Sequence, residues 1–154
     1  MRADNPRVHL AIGSQFENIE LVQIVVEESL RKLALQDDVA HSIGIAVREA
    51  VANAIKHGNR EDPAKRVEID LGVSDDEVVI QVSDQGTGFD PQRVADPRQP
   101  ENLLRPNGRG IFFMNSYMDG IDYSFKPEGG TVVTLRKRLA SLASGPRLQE
   151  EKDR

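Results

Sequence analysis

Two neighbouring stretches in which apolar and polar residues alternate constrain the fold of this chain more than any other feature. RVEIDLGV occupies residues 66–73 and EVVIQVSD occupies residues 77–84, with a short polar break between them. The alternating apolar positions are Val67, Ile69, Leu71, Val78, Ile80 and Val82. This pattern predicts a β-hairpin with one apolar face. Because that face has to be buried, we expect an antiparallel or mixed sheet with helices packed on one side.

Two segments with helical spacing precede the hairpin. The first starts at SQFE, where Ser14 and Glu17 match a capping box, and its apolar residues recur at helical intervals to about Leu35. The second is predicted to run from about residue 39 to residue 57, with Gly58 as its C-cap. Both helices can supply apolar surface to cover the sheet.

Three more strands and a third helix complete the predicted order. RVHLAI at residues 7–12 has the alternation of a short strand, and two final strands are predicted at 120–125 and 131–136. The stretch GIFFMNSYM, at residues 110–118, is predicted as the third helix. This order favours an α+β two-layer sandwich, with a mixed, mostly antiparallel sheet and helices on one face. It argues against a doubly wound parallel sheet.

Composition limits the class of protein. The 154 residues fit one domain, which we place at residues 1–140, followed by a polar tail at 141–154 that we expect to be flexible. The net charge of −5 argues against direct binding of nucleic acid. The absence of cysteine excludes disulfides, thiolate chemistry and Cys-based zinc sites. Neither a signal peptide nor a membrane span is evident, so we expect a cytoplasmic protein that does not bind membranes.

An irregular stretch at residues 85–107 is bracketed by glycines. DQGTGFD opens it and NGRGI closes it, just before the predicted third helix. The glycines are Gly86, Gly88, Gly108 and Gly110. Glycine lets a ligand approach the backbone closely, and a helix N-terminus attracts anions. The second end of the loop is therefore a candidate phosphate cradle, although either glycine pair alone favours an ordinary turn.

The stretch REAVANAIKHGNR places three polar groups on one side of the second helix. Glu49 and Asn53 are four residues apart and lie about 40° from each other around the axis, with Lys56 close to the same stripe. One interpretation is the solvated face of an amphipathic helix. The other is a magnesium–nucleotide site, in which an amide oxygen binds the cation and a carboxylate acts as a base. His57 fits either a ligand contact or a helix cap.

Four motifs in this chain together resemble a known ATPase superfamily. Glu49-x-x-x-Asn53 followed by KHGN resembles the N-box shared by gyrase, heat-shock chaperone, histidine kinase and mismatch-repair proteins. DQGTGF and NGRGI resemble its two glycine boxes, and GGT at residues 129–131 resembles the short motif near its last strand. The order and spacing agree over roughly residues 6–138. Within the superfamily, EAVANAIKHGN and the small size most resemble bacterial anti-sigma-factor serine/threonine kinases.

The resemblance implies the Bergerat ATP-binding fold and a base pocket. In such a pocket Asp84 would bind the adenine amino group, and a carboxylate suits this role because it accepts from an exocyclic amine. Gly86 and Gly88 would let the chain pass close to the base. Thr131 would line the pocket from the strand side.

The resemblance also implies roles around the phosphates of ATP. Asn53 would hold Mg²⁺, and Glu49 would be the general base acting on the attacking hydroxyl. Lys56 and His57 would contribute further contacts to the nucleotide. The phosphate cradle would consist of Gly108, Arg109 and Gly110.

Three classes of function are compatible with these motifs. The first is a serine/threonine kinase that holds a sigma factor and phosphorylates an antagonist of the anti-sigma factor, as a homodimer. The second is the catalytic half of a histidine kinase, which is disfavoured because His9, His41 and His57 lie in no dimerising helical hairpin. The third is an ATP- or ADP-dependent binding module without phosphoryl transfer, which the presence of both Glu49 and Asn53 argues against only mildly.

Overall fold

The structure is a computed structural model that describes residues 7–74, 76–86, 114 and 117–139. The strands in this part are β1 (Val8–Gly13), β2 (Arg66–Val73), β3 (Glu77–Ser83), β4 (Gly120–Phe125) and β5 (Thr131–Arg138). The helices are α1 (Glu17–Lys32) and α2 (Asp37–Asn53), and a π-helical turn over Ala54–Gly58 continues α2 without a break.

The five strands form a sheet in the order β1-β2-β3-β5-β4, and each neighbouring pair is antiparallel. The predicted hairpin is β2–β3, with Leu71 opposite Ile80. The predicted α+β class is confirmed, and every described pairing of the sheet is antiparallel. One consequence matters for the site: β3 pairs with β5, so the end of β3 lies beside the start of β5, with Ser83 opposite Val132.

The apolar face of the sheet forms the core together with the two helices. All six alternating residues of the hairpin are at most 2% exposed, as the pattern predicted. The helical residues buried with them include Val22, Val26, Leu30, Ile43, Val47 and Val51. The small residues Ala46, Ala50 and Ala54 are also buried and allow α2 to lie close to the sheet. Packing on this face fixes how α2 presents its remaining side chains.

The capping box predicted at Ser14 is wrong. Helix α1 has Phe16 at its N-cap position, and no side chain caps it. Ser14 is 2% exposed and its hydroxyl donates to the carbonyl of Lys65, at 2.6 Å. The Ser14 hydroxyl oxygen accepts from Asn59 Nδ2 at 2.8 Å, so long-range partners have replaced the local backbone N–H of a capping box. The helix ends at Lys32 rather than Leu35, because Ala34 adopts a left-handed conformation with φ of 68°.

The predicted left-handed C-cap at Gly58 is also wrong. The helix begins at Asp37 and remains helical through Gly58, but its last turn is π-helical. The left-handed residues that reverse the chain are Arg60 and Glu61, with φ of 53° and 58°. Gly58 is required for another reason, which is its contact with the end of β3.

Several predictions fall outside the described residues. These are most of the third helix, the irregular loop after Gly86 and the tail at 141–154. Met114 and Tyr117 are helical, and the Met118 N–H donates to the Met114 carbonyl at 3.0 Å. Among the helices that the structure describes, none combines the length and the hydropathy of a membrane span.

Candidate functional site

The structure brings Asp84 and Thr131 together at one end of the sheet. The Asp84 N–H donates to the Thr131 carbonyl at 3.0 Å, and the Thr131 N–H donates to Asp84 Oδ1 at 3.1 Å. The Gly86 N–H donates to the same carboxylate oxygen at 3.0 Å. Asp84 is 1% exposed, so these backbone contacts hold a buried carboxyl group in one orientation.

Burial raises the pKa of the Asp84 carboxyl group above its ordinary value. The backbone donors of Gly86 and Thr131, followed by the charges of Lys126 and Lys65, lower the pKa by less than burial raises it. Among the described residues, both donors to this carboxylate reach Oδ1. The other oxygen, Oδ2, is thus placed to accept from an amino group of a ligand.

Glycines allow three segments to meet at Asp84. A Cβ atom on Gly58 would lie 2.2 Å from Asp84 Oδ2, and one on Gly86 would lie 1.8 Å from the Gly58 carbonyl oxygen. Gly130 has φ of 115°, and a Cβ atom there would lie 2.2 Å from the Asp84 carbonyl oxygen. No larger residue fits these positions unless the backbone shifts. Gly86 lies against the π-helical turn. A position of Gly86 beside the adenine base stays a prediction.

The hydroxyl group of Thr131 has no hydrogen-bond partner among the described residues. Thr131 is 0% exposed, and its Oγ1 is a buried side-chain oxygen left without a partner in the described part of the chain. An unpaired buried hydroxyl group costs about 1–3 kcal/mol, so such atoms are rare and call for an explanation. Because the backbone of Thr131 is bonded to Asp84, a polar ligand at this end of the sheet is a candidate partner for the hydroxyl group.

The polar stripe of α2 is not simply a solvated face. Asn53 is 6% exposed, and Glu49 and His57 are half-buried, whereas Lys56 is exposed. Burial raises the pKa of Glu49 more than the neighbouring charge of Arg48 lowers it. Burial and, to a smaller extent, Lys56 lower the pKa of His57. The interpretation as a solvated face therefore fits Lys56 but not Asn53.

The π-helical turn connects this stripe to Asp84. Gly58, at the end of the turn, lies against the carboxyl group, and Asn53 precedes Gly58 by roughly one and a half helical turns. Glu49 lies one turn further along the same helix. Turns of π-helix occur frequently at functional sites. The helix and its π-helical turn thus place the amide of Asn53 and the carboxyl group of Glu49 at successive distances from the Asp84 carboxyl group.

The residues present fit Mg²⁺ only if a nucleotide supplies other ligands. In the described ranges, no three His, Asp or Glu side chains are grouped so that they could hold a metal ion. Mg²⁺ usually keeps several waters and is bound by one or two protein oxygens together with substrate phosphates. The buried amide of Asn53 can provide such an oxygen, which agrees with its predicted role.

Two polar residues beside Asp84 were not among the predicted site residues. The Lys126 ammonium donates to the Asp84 carbonyl at 3.3 Å. Asn59 accepts a hydrogen bond from the N–H of Gln85, the residue after Asp84. The position of Asn59 in HGN, directly after the polar stripe, was the available signal. Lys126 gave no comparable signal, because its contact depends on the pairing of β3 with β5.

The remaining predicted site residues lie outside the described part of the chain. They are Gly88, Gly108, Arg109 and Gly110. Their assignment to a phosphate cradle stays a prediction.

Comparison with protein families defines the class. Residues 12–137 match the histidine kinase-like ATPase domain. The chain therefore belongs to this family, and the site described above lies within the matched region.

Within this family, the chain is similar to regulators of sigma factors. The anti-sigma F factor of Oceanobacillus iheyensis is 30% identical over 135 residues, which cover 85% of this chain and 91% of that protein. The serine-protein kinase RsbW of the same organism is 21% identical, with 86% of this chain and 87% of that protein covered.

A solved structure shows the same fold. The RsbU and RsbW domains of Rv1364c from Mycobacterium tuberculosis superpose with a TM-score of 0.62 at 19% sequence identity. The match covers 89% of this chain and 33% of that longer chain.

Proposed function

We propose that this chain is an ATP-dependent anti-sigma regulatory protein. It binds a sigma factor, and it phosphorylates a serine or threonine of the antagonist protein that releases the sigma factor. The family supports the ATP-binding part of the proposal. The regulatory part rests on similarity to proteins named anti-sigma F factor and serine-protein kinase RsbW. By the same resemblance we propose a homodimer.

The pairing of Asp84 with Thr131 is the observation that carries the nucleotide site. Asp84 offers a buried acceptor, and Thr131 offers a buried hydroxyl group that has no partner in the described part of the chain. An adenine presents an amino donor beside a ring-nitrogen acceptor, so it can satisfy both side chains. A purine without the amino group would offer no donor to Asp84 Oδ2, so this hydrogen bond to a buried carboxylate would be lost.

Glu49 is suited to accept a proton at the other end of the site. Its raised pKa makes it a stronger base than an exposed glutamate. In the proposed transfer, Glu49 takes the proton of the attacking serine or threonine hydroxyl group. The oxygen of that hydroxyl group bonds to the γ-phosphorus at the same time. The bond from that phosphorus to the β–γ bridging oxygen breaks, and ADP leaves with the electron pair. Bound Mg²⁺ would neutralise phosphate charge, and Asn53 would hold it.

Phosphoryl transfer can be tested with γ-labelled ATP and the antagonist protein encoded nearest the gene. Label should appear on a serine or threonine of the antagonist. Glu49→Ala should lower the rate by about 10²–10⁴-fold while most ATP affinity remains. Glu77→Ala is a matched control, because Glu77 is also half-buried but lies at the far end of β3. A normal rate in Glu49→Ala would exclude Glu49 as the base.

The same experiment separates the kinase from a binding module. If the protein binds ATP and its partner but transfers no label, the binding module is the correct description. If it does not bind ATP, both descriptions are wrong.

A further inference from the structure

Asn59 is a buried amide whose nitrogen and oxygen both form hydrogen bonds. It is 1% exposed and directly follows the π-helical turn. Its Nδ2 donates to Ser14 Oγ at 2.8 Å and to the Arg66 carbonyl at 3.0 Å. Its Oδ1 accepts from the Gln85 N–H at 2.7 Å. One side chain thus connects the segment after β1, the start of β2 and the residue that follows Asp84.

The partners of Asn59 are themselves fixed. Ser14 Oγ donates to the Lys65 carbonyl at 2.6 Å, and Gln85 Oε1 accepts from the Arg66 N–H at 2.7 Å. These contacts hold the backbone on the C-terminal side of Asp84 from both directions, through the buried side chains of Asn59 and Ser14 and through the exposed side chain of Gln85. A displacement of this backbone would leave the buried amide of Asn59 with an unpaired group, which disfavours the displacement.

We propose that Asn59 is a positioning residue of the nucleotide site. By holding the Gln85 N–H, it fixes the backbone that follows Asp84 and so directs the carboxyl group at the base. Thr131 and Gly86 bind the carboxyl group itself, whereas Asn59 sets the path of the chain that carries it. The inference rests on the proposed function, because it assumes that Asp84 binds the amino group of adenine.

The ratio of the affinities for two different bases shows whether Asn59 positions Asp84 or only stabilises the fold. The probes are ATP and purine riboside triphosphate, which carries hydrogen in place of the 6-amino group. The wild-type protein should prefer ATP by about tenfold or more. Asn59→Ala should reduce this preference to less than about threefold, because Asp84 no longer holds its orientation. A loss of stability alone would weaken both ligands equally and leave the ratio unchanged.

Two other variants complete the experiment. Asn18→Ala is the matched control, because Asn18 donates to the Gly13 carbonyl at 3.1 Å but does not contact the segment after Asp84. It should keep the wild-type preference. Asn59→Asp retains an acceptor for the Gln85 N–H and should keep more of the preference than Asn59→Ala. A folded Asn59→Ala protein with the wild-type ratio would overturn the proposal.

Hydrogen exchange of the wild-type protein provides a test that needs no variant. The amide of Gln85 should exchange much more slowly than an unprotected amide without nucleotide, since it donates to the side-chain oxygen of the buried Asn59. Exchange of Gln85 at the rate of an unprotected amide would contradict the proposal. If the wild-type protein binds no nucleotide at all, the proposed function fails, while the exchange rate of Gln85 still tests the contact with Asn59.

Discussion

Asp84 is the residue on which nucleotide recognition is expected to depend most. Asp84→Asn should weaken ATP binding by roughly 1.5–3 kcal/mol, because an amide can turn a donor toward the adenine amino group. Purine riboside triphosphate has no such amino group, so its affinity should change much less. Titration calorimetry with both ligands measures the difference. Unchanged ATP affinity would remove Asp84 from the base pocket.

Asp84→Asn should weaken ATP binding but stabilise the folded protein. Burial raises the pKa of Asp84 in the folded state, so ionisation of this group destabilises the fold above that pKa. Asp84→Asn should therefore increase the free energy of unfolding at pH 7. The gain should disappear as the pH falls below the unfolded-state pKa, where Asp84 is protonated in both states.

Denaturant titrations of the wild type and of Asp84→Asn at pH 7 and at about pH 3 measure the free energy of unfolding above and below the unfolded-state pKa. Glu20→Gln, at an exposed position of α1, is the control and should show little change. A gain in stability that does not depend on pH would show that ionisation of Asp84 is not its cause.

Thr131→Val, like Asp84→Asn, should change ATP binding and protein stability in opposite directions. Valine has nearly the shape of threonine but lacks the hydroxyl group that is unpaired in the fold. Removing it should raise the free energy of unfolding by about 1 kcal/mol and weaken ATP binding. Thermal unfolding and calorimetry report the two quantities. A loss of stability in Thr131→Val would mean that Oγ1 has a partner in the free protein.

At the scale of elements, the junction of α2 with the sheet depends on Gly58. Gly58→Ala would place a Cβ atom 2.2 Å from Asp84 Oδ2, so the π-helical turn or the end of β3 has to move. We expect a loss of about 1–3 kcal/mol in stability together with weaker ATP binding. Gly13→Ala is the matched control, since its Cβ atom would meet no described atom closer than 3.5 Å. Equal effects of both substitutions on ATP binding would contradict a specific role of Gly58.

The strands could be predicted from the sequence because their signal is local. Alternation with a period of two placed β1, β2 and β3, and the boundaries of all five predicted strands agree with the structure within two residues. The capping box failed for the opposite reason. Ser14 has a local backbone donor within reach, but the fold offers it Lys65 and Asn59, which are distant in sequence. A local pattern cannot show which partner is preferred.

The candidate site was predicted in part, and the missing part has a physical cause. Asp84, Asn53 and Glu49 stand in recognisable motifs, and the structure buries or half-buries all three. The need for glycine at position 58 comes from a carboxyl group in another element rather than from local backbone conformation. Asn59 is similar, because its role depends on contacts with Ser14 and Gln85 that only the folded chain creates.

At the scale of the whole molecule, nucleotide and partner binding should be linked. If a partner protein prefers the ATP-bound form, its binding has to tighten ATP by the same factor. We expect the antagonist or the sigma factor to change ATP affinity by about 5–150-fold, the usual range of such coupling. Calorimetry of ATP binding with and without the partner measures the factor. Equal partner affinity with ATP, with ADP and without nucleotide would exclude the linkage.

The strand order β1-β2-β3-β5-β4 also has a consequence for how the protein is made. The β2–β3 hairpin forms from neighbouring residues, but the pairing of β3 with β5 waits for Val132 to reach Ser83. Contacts between such distant residues form slowly, because a long loop has to close first. During synthesis, a chain that ends before β5 lacks the Thr131 side of the pocket. If ATP binds beside Asp84 and Thr131 as proposed, a chain that ends before β5 should bind ATP weakly and should not compete for nucleotide with chains that contain β5.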